Sequence, residues 1–147
     1  MSWLRIPAGM WFWLVLVLAG QQAAAAEVRA PDHISGTTVV DAAGVLDLAA
    51  EHPDLVIIDA RMRLDRRQGY LQGSVSLPDV DTDCDSLASV IPSLSHPVLF
   101  YCNGIHCGRS AVSARIAVEC GYRRVYWFRE GFEAWQAARL PYVKYAR

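Results

Sequence analysis

The chain has 147 residues, with 14 Lys and Arg against 15 Asp and Glu, a net charge of −1 and 53% hydrophobic residues. This length and apolar content predict one domain with a single core. The near-neutral balance gives no electrostatic reason to expect a nucleic acid or an anionic membrane surface as a partner.

The N-terminus predicts a secretory signal peptide over residues 1–26. Arg5 is followed by an uninterrupted apolar run at 10–19 and then by a stretch of small residues that ends before Glu27. Charged, apolar and small-residue regions follow one another in this order in signal peptides, and the run is shorter than the roughly 20 residues of a membrane span. We expect an exported protein, periplasmic in a Gram-negative source. It would touch the membrane only if this segment stays uncleaved as an anchor.

Short strands and helices are predicted to alternate after a mobile lead-in at 27–37, within a domain at 38–147. Strands are expected at 37–40, 55–58, 74–78, 97–101 and 125–128, and helices at 42–51, 87–94, 111–118 and 131–138. This alternation predicts an α/β domain with a mainly parallel central sheet. Uninterrupted apolar strands such as 55–58 indicate helices on both faces of that sheet.

Cys102 stands where the apolar strand 97–101 ends, before a short loop and the helix that starts near Arg109. A helix N-terminus carries positive partial charge and free N–H groups, which bind anions and lower the pKa of a cysteine. The pattern therefore predicts a reactive thiolate at Cys102. The loop and the arginine after it are expected to bind an anionic substrate through Asn103, Gly104, Ile105, His106, Cys107, Gly108 and Arg109.

Several motifs in a fixed order resemble the rhodanese family of sulfurtransferases, from about residue 38 to residue 143. The family's landmarks are an aliphatic strand ending in D-x-R, a G-H-I-x-G-A segment, a catalytic cysteine, an R-S-A helix start and a closing G-x-x-x-W. They match Asp59 to Arg61, Gly69 to Ser74 with Tyr70 in place of His, Cys102, Arg109 to Ala111, and Gly131 to Trp135. The loop departs from the pattern, since six residues separate Cys102 from Arg109 where the family has four.

The resemblance implies a rhodanese-like fold and a persulfide mechanism that needs no cofactor and no metal. Cys102 would take one sulfur from a small anionic donor such as thiosulfate and pass it to cyanide or to a thiol, including a protein thiol. Asp59 and Arg61 are expected to support the loop from the neighbouring strand end. The alternative is a non-enzymatic sulfur-relay or thiol/disulfide module that uses Cys102 and Cys107.

Cys107 has three interpretations: a resolving thiol that forms a disulfide with Cys102, a small loop residue, or the nucleophile itself. His106 either carries a proton at the site or is simply exposed. A zinc site at Cys102, His106 and Cys107 would lack a fourth ligand. A phosphatase or arsenate reductase reading is disfavoured by the loop length.

The remaining cysteines and a cluster of arginines have less specific interpretations. Four cysteines in an exported chain suggest disulfides, but nothing in the sequence brings Cys84 and Cys120 together, and Cys120 is predicted to be a core residue at a helix end. Arg63, Arg66 and Arg67 either surround the pocket or form a solvated face.

Overall fold

A computed structural model describes residues 29–144. Its five strands form one sheet in the order β1-β5-β4-β2-β3, and all neighbouring strands are parallel. The strands are β1 Thr37–Val39, β2 Val56–Asp59, β3 Val75–Ser76, β4 Val98–Tyr101 and β5 Val125–Phe128. The helices are α1 Ala42–Glu51, α2 Cys84–Val90, α3 Arg109–Glu119 and α4 Gly131–Ala137, with 3-10 helices at Arg63–Gln68 and Asp79–Asp81. The α/β fold with a parallel sheet is confirmed.

Each face of the sheet has its own hydrophobic core, because side chains alternate between the two sides of a strand. On one side Phe100 and Trp127 pack with Leu87 of α2 and Ala114 of α3. On the other side the buried residues come from β4, β5, α1 and α4: Leu99, Tyr101, Phe128, Val45, Phe132 and Trp135. Helices therefore cover both faces, as predicted.

Two sequence predictions about elements need correction. The helix predicted at 87–94 runs instead over Cys84–Val90, because Asp83 and Ser86 form a reciprocal capping box that fixes an earlier start. The lead-in predicted to be mobile is docked in its described part, where Ala30 and Ile34 are each 3% exposed.

The signal-peptide prediction concerns residues outside the described range. Within residues 29–144, no helix combines the length and the apolar character that a membrane crossing requires.

The sheet order decides where the polar strand ends meet. β2 and β4 are neighbours, and Asp59 is in register with Tyr101. Because the carboxyl ends of parallel strands lie at the same edge, the segment after Asp59 and the loop after Tyr101 are brought side by side.

Candidate active site

The loop from Cys102 to Gly108 connects β4 to α3 and is held from outside by the start of α4. The N–H of Phe132 donates to the carbonyl of Cys102 at 2.9 Å, and the N–H of Glu133 donates to the carbonyl of Asn103 at 2.8 Å. These bonds turn the first carbonyls of the loop toward α4.

A glycine lies on each side of this contact between the loop and α4. Gly131 has φ +62°, and a Cβ there would collide with the carbonyl oxygen of Cys102 and with the backbone of Asn103. A Cβ at Gly104 would collide with the carboxylate of Glu133. At Gly131 there is no room for a side chain because two backbone segments lie against each other, whereas at Gly104 the obstacle is the end of the Glu133 side chain.

The N-terminal segment holds the far side of the loop. The N–H of Ala30 donates to the carbonyl of Ile105 at 2.7 Å. Arg129, just after β5, donates to the carbonyls of Ala30 at 3.1 Å and Pro31 at 2.7 Å and to the carboxylate of Asp32 at 2.7 Å. A segment predicted to be a mobile lead-in is thus part of the support for the loop.

Cys102 and Cys107 form a disulfide, with 6.1 Å between their Cα atoms. The backbone turns back on itself between them, since the N–H of Cys107 donates to the carbonyl of Gly104 at 3.0 Å. Cys102 is 1% exposed, whereas Cys107 is half-buried and lines a surface pocket. Of the two sulfur-bearing residues, Cys107 is the one next to open space.

The pocket has a volume of about 580 Å³ and opens widely to solvent. Its lining comes from the loop, the start of α3, the two 3-10 helices and the residue before the first of them: Met62, Asp65, Asp79, Asn103, His106, Cys107, Gly108 and Arg109. Arg109, the residue expected to bind an anion, donates to the carboxylate of Asp79 at 2.7 Å. An anionic donor would therefore have to share Arg109 with this carboxylate.

The start of α3 lies beside the disulfide, two residues after Cys107. Gly108 precedes the helix, and no side chain caps it. Its first N–H groups are thus left for an anion or a thiolate. The buried Ser110 accepts a hydrogen bond from the indole of Trp127 at 3.0 Å, which fixes this end of α3 against β5.

Arg61 is fully buried and connects the end of β2 to the loop. Its guanidinium makes two bonds to the carboxylate of Asp59, from Nε at 2.8 Å and from Nη2 at 2.7 Å, and reaches the side-chain oxygen of Asn103 at 3.3 Å. Nη2 also donates to the carbonyl of Gly69 at 2.8 Å. Burial lowers the pKa of Arg61, but the hydrogen bond and charge of Asp59 outweigh it and the pKa is raised.

The sequence did not anticipate the other partners of Asp59. Tyr101 donates its hydroxyl to that carboxylate at 2.7 Å, and Arg66 donates to it at 2.9 Å and to Ser74 at 3.0 Å. Burial, together with the charge of Asp59, raises the pKa of Tyr101, so the phenol stays protonated and remains a donor. In the sequence, Tyr101 is simply the last residue of an apolar strand. Its hydroxyl group is the only feature that could have indicated a buried polar partner.

The cluster of arginines after β2 does not line the pocket. Arg66 points inward to Asp59 and stacks on the ring of Tyr70 at 3.7 Å. Arg63 forms an exposed ion pair with Asp81 at 2.9 Å. The charged residues that the sequence missed at the pocket are acidic, Asp65 and Asp79.

Known proteins share part of this sequence and the overall fold. YibN, an uncharacterized protein of Escherichia coli K12, is 26% identical over 92 residues, which span 62% of this chain and 62% of that relative's length. The polysulfide-sulfur transferase homodimer of Wolinella succinogenes has a TM-score of 0.63 at 19% identity, covering 76% of this chain and 82% of that one. A rhodanese from E. coli, solved with anions, has a TM-score of 0.51 at 25% identity, covering 62% and 99%.

The family model for the rhodanese-like domain matches residues 42–138. This range runs from α1 to α4 and includes the Cys102 loop, whereas β1 lies outside it. The chain belongs to the rhodanese-like domain family.

Proposed function

We propose that this protein is an exported sulfurtransferase that carries sulfane sulfur as a persulfide on Cys102. The carrying observation is the position of Cys102 at the carboxyl end of β4, in a loop braced by Arg61 and adjacent to the uncapped start of α3. Such an environment favours a thiolate, which is the nucleophilic form. Family membership supports a role in sulfur transfer in general.

The proposed donor is a small anion such as thiosulfate, and the acceptor is cyanide or a thiol. The Cys102 thiolate would attack the outer sulfur of thiosulfate and displace sulfite. Arg109 and the first N–H groups of α3 are the groups available to bind the sulfonate. Because Cys102 is held in a disulfide, the protein must first be reduced to accept sulfur.

Export is supported by the cysteine chemistry. All four cysteines of the chain are paired, as Cys84–Cys120 and Cys102–Cys107. Disulfides persist in the periplasm and outside the cell but are rare where thiols are kept reduced. Mass measurement of the N-terminus of the protein recovered from periplasmic and cytosolic fractions tests this part, and a cytosolic protein with an intact N-terminus would refute it.

The activity is tested by thiocyanate formation from thiosulfate and cyanide after reduction of the protein. We expect turnover in the wild type and no turnover in Cys102→Ala. The control is the double variant Cys84→Ala/Cys120→Ala, which removes the disulfide at the other end of α3 and should keep the turnover. Wild-type turnover in Cys102→Ala would exclude Cys102 as the sulfur carrier.

A second candidate is a thiol/disulfide module without sulfur transfer, and the Cys102–Cys107 bond is the observation that favours it. Sulfite release from thiosulfate separates the two candidates. A sulfurtransferase releases one sulfite for each sulfur transferred to Cys102, whether or not that sulfur then stays on the protein. Oxidation to the disulfide with no sulfite released from thiosulfate would favour the module.

A further inference from the structure

We propose that Cys107 is a second catalytic residue, which attacks the Cys102 persulfide and releases its outer sulfur as sulfide. The protein would then reduce sulfane sulfur as well as carry it, and the Cys102–Cys107 disulfide would be the product of each turnover. This inference rests on the proposed function, because the persulfide must form first.

Cys107 can reach the sulfur it would attack. Its Sγ is bonded to the Sγ of Cys102, which in the persulfide is the inner sulfur atom. The backbone that brings them together is fixed at both sides, by the bond from Cys107 N–H to the Gly104 carbonyl and by the Ala30 bond to Ile105. Reaction within one loop avoids the entropy loss of bringing in a second molecule.

The Cys107 thiolate attacks the Sγ of Cys102, the bond between that Sγ and the outer sulfur breaks, and the outer sulfur leaves as hydrosulfide with the electron pair. The outer sulfur is reduced to sulfide, and the two cysteine sulfurs are oxidised to a disulfide. No external oxidant or reductant takes part in this step.

Burial favours this outcome over direct transfer to an external acceptor. Cys102 is 1% exposed and does not line the pocket, whereas Cys107 does. An incoming thiol has to compete with Cys107, whose own sulfur is already within bonding reach of Cys102. Cyanide, being smaller than any protein thiol, is the acceptor best able to compete.

The difference in burial between Cys102 and Cys107 also suggests how an external dithiol would return the disulfide to the reduced form. Cys107 is the less buried residue of the disulfide and lines the pocket, so the dithiol would form a mixed disulfide there. Cys102 leaves as a thiolate beside the uncapped start of α3, and a stabilised thiolate is the better leaving group. Summed over the cycle, thiosulfate and a dithiol give sulfite, sulfide and a disulfide.

The test is a single turnover of the whole protein without oxygen. The protein is reduced, freed of reductant and mixed with an equimolar amount of thiosulfate, with no thiol or cyanide added. Sulfite, sulfide and intact mass are then measured for the wild type, Cys107→Ala and Cys107→Ser. Sulfite reports formation of the persulfide, and sulfide reports its resolution.

We expect the wild type to release sulfite and sulfide in equal amounts and to end as the disulfide. Both variants should release sulfite, keep the mass of one added sulfur and form sulfide about 10²-fold more slowly, because the intramolecular thiol is gone. Equal sulfide release from the wild type and both variants would overturn the role of Cys107. A stable persulfide on the wild type, with Cys107 still reduced, would also overturn it.

The two proposals fail in distinguishable ways. Sulfite without sulfide in the wild type refutes the role of Cys107 and leaves the sulfurtransferase standing. Absence of sulfite from all three proteins refutes the sulfurtransferase and with it this inference. Because sulfite release requires an intact Cys102 site, it also shows that the Cys107 variants are folded.

Discussion

Arg61 and Asp59 form an ion pair in which both side chains are fully buried. Taking two charges out of water is costly, so such a pair is weak support for stability in itself. Its geometry suggests what it does instead, because Arg61 uses its remaining donors on the Gly69 carbonyl and the Asn103 side chain. We interpret the pair as a device that fixes the active loop relative to β2.

We predict that Asp59→Asn destabilises the protein by about 3–5 kcal/mol, because Arg61 is left as a buried charge without its counterion. Urea unfolding of the oxidised protein measures this. The matched control is Asp81→Asn, which breaks an ion pair with Arg63 whose side chains are 62% and 48% exposed. That change should cost no more than about 1 kcal/mol. Equal losses of unfolding free energy in the two variants would contradict the expected cost of leaving the buried Arg61 charge unpaired.

At the scale of elements, the start of α4 acts as a template for the loop after β4. Phe132 and Glu133 donate their N–H groups to loop carbonyls, and Gly131 allows the two backbones to touch. A helix terminus has N–H groups without partners in its own helix, so α4 satisfies them by binding the loop. The G-x-x-x-W motif of the sequence thus contributes to the site through its glycine and to the core through Trp135.

Gly131→Ala should destabilise the protein by about 2–4 kcal/mol and slow sulfite release about 10²-fold, because the new methyl group strains a left-handed backbone and displaces the Cys102 carbonyl. Gly73→Ala is the control: its φ is +78°, but no atom lies within 4 Å of the new Cβ. It should cost about 1 kcal/mol and leave the rate unchanged. A Gly131→Ala protein with normal turnover would contradict the template role.

At the scale of the whole molecule, the two disulfides have different tasks. Cys84 and Cys120 are 36 residues apart in sequence, and their bond joins the start of α2 to the end of α3, with 5.6 Å between Cα atoms. Cys102 and Cys107 are only 5 apart and lie in the loop. The first closes a long loop of the unfolded chain, and the second closes a short one.

We predict that Cys84→Ala/Cys120→Ala lowers the free energy of unfolding by about 3–4 kcal/mol, since cross-linking stabilises more when the closed loop is long. Cys102→Ala/Cys107→Ala should lower the free energy of unfolding by only about 2 kcal/mol, because this disulfide closes a short loop. Urea unfolding of both double variants without reductant compares them. A larger loss from the loop pair would mean that its disulfide holds the fold and is not free to cycle.

How much the sequence predicts depends on the distance between the residues concerned. The order of strands and helices, the sheet class and the position of Cys102 between a strand and a helix follow from local apolar patterns and from motif resemblance. The inward direction of Arg66 cannot be predicted in this way. A charged helical segment has the same sequence pattern whether its arginines face solvent or a buried carboxylate. Only Asp59, brought alongside by the fold, decides between these directions.

Local patterns and motif resemblance are enough to predict the α/β class, Cys102 as the candidate sulfur carrier and the D-x-R segment beside it. Cys120 packs against the core, as predicted. Only the tertiary structure shows that it pairs with Cys84, that Asp79 binds Arg109 and that Ala30 holds Ile105. It also decided that Cys107 is the accessible partner of the loop disulfide. The physical reason is that helices and strands are encoded by neighbours within a few residues, whereas these contacts join distant segments whose meeting depends on the path of the whole chain.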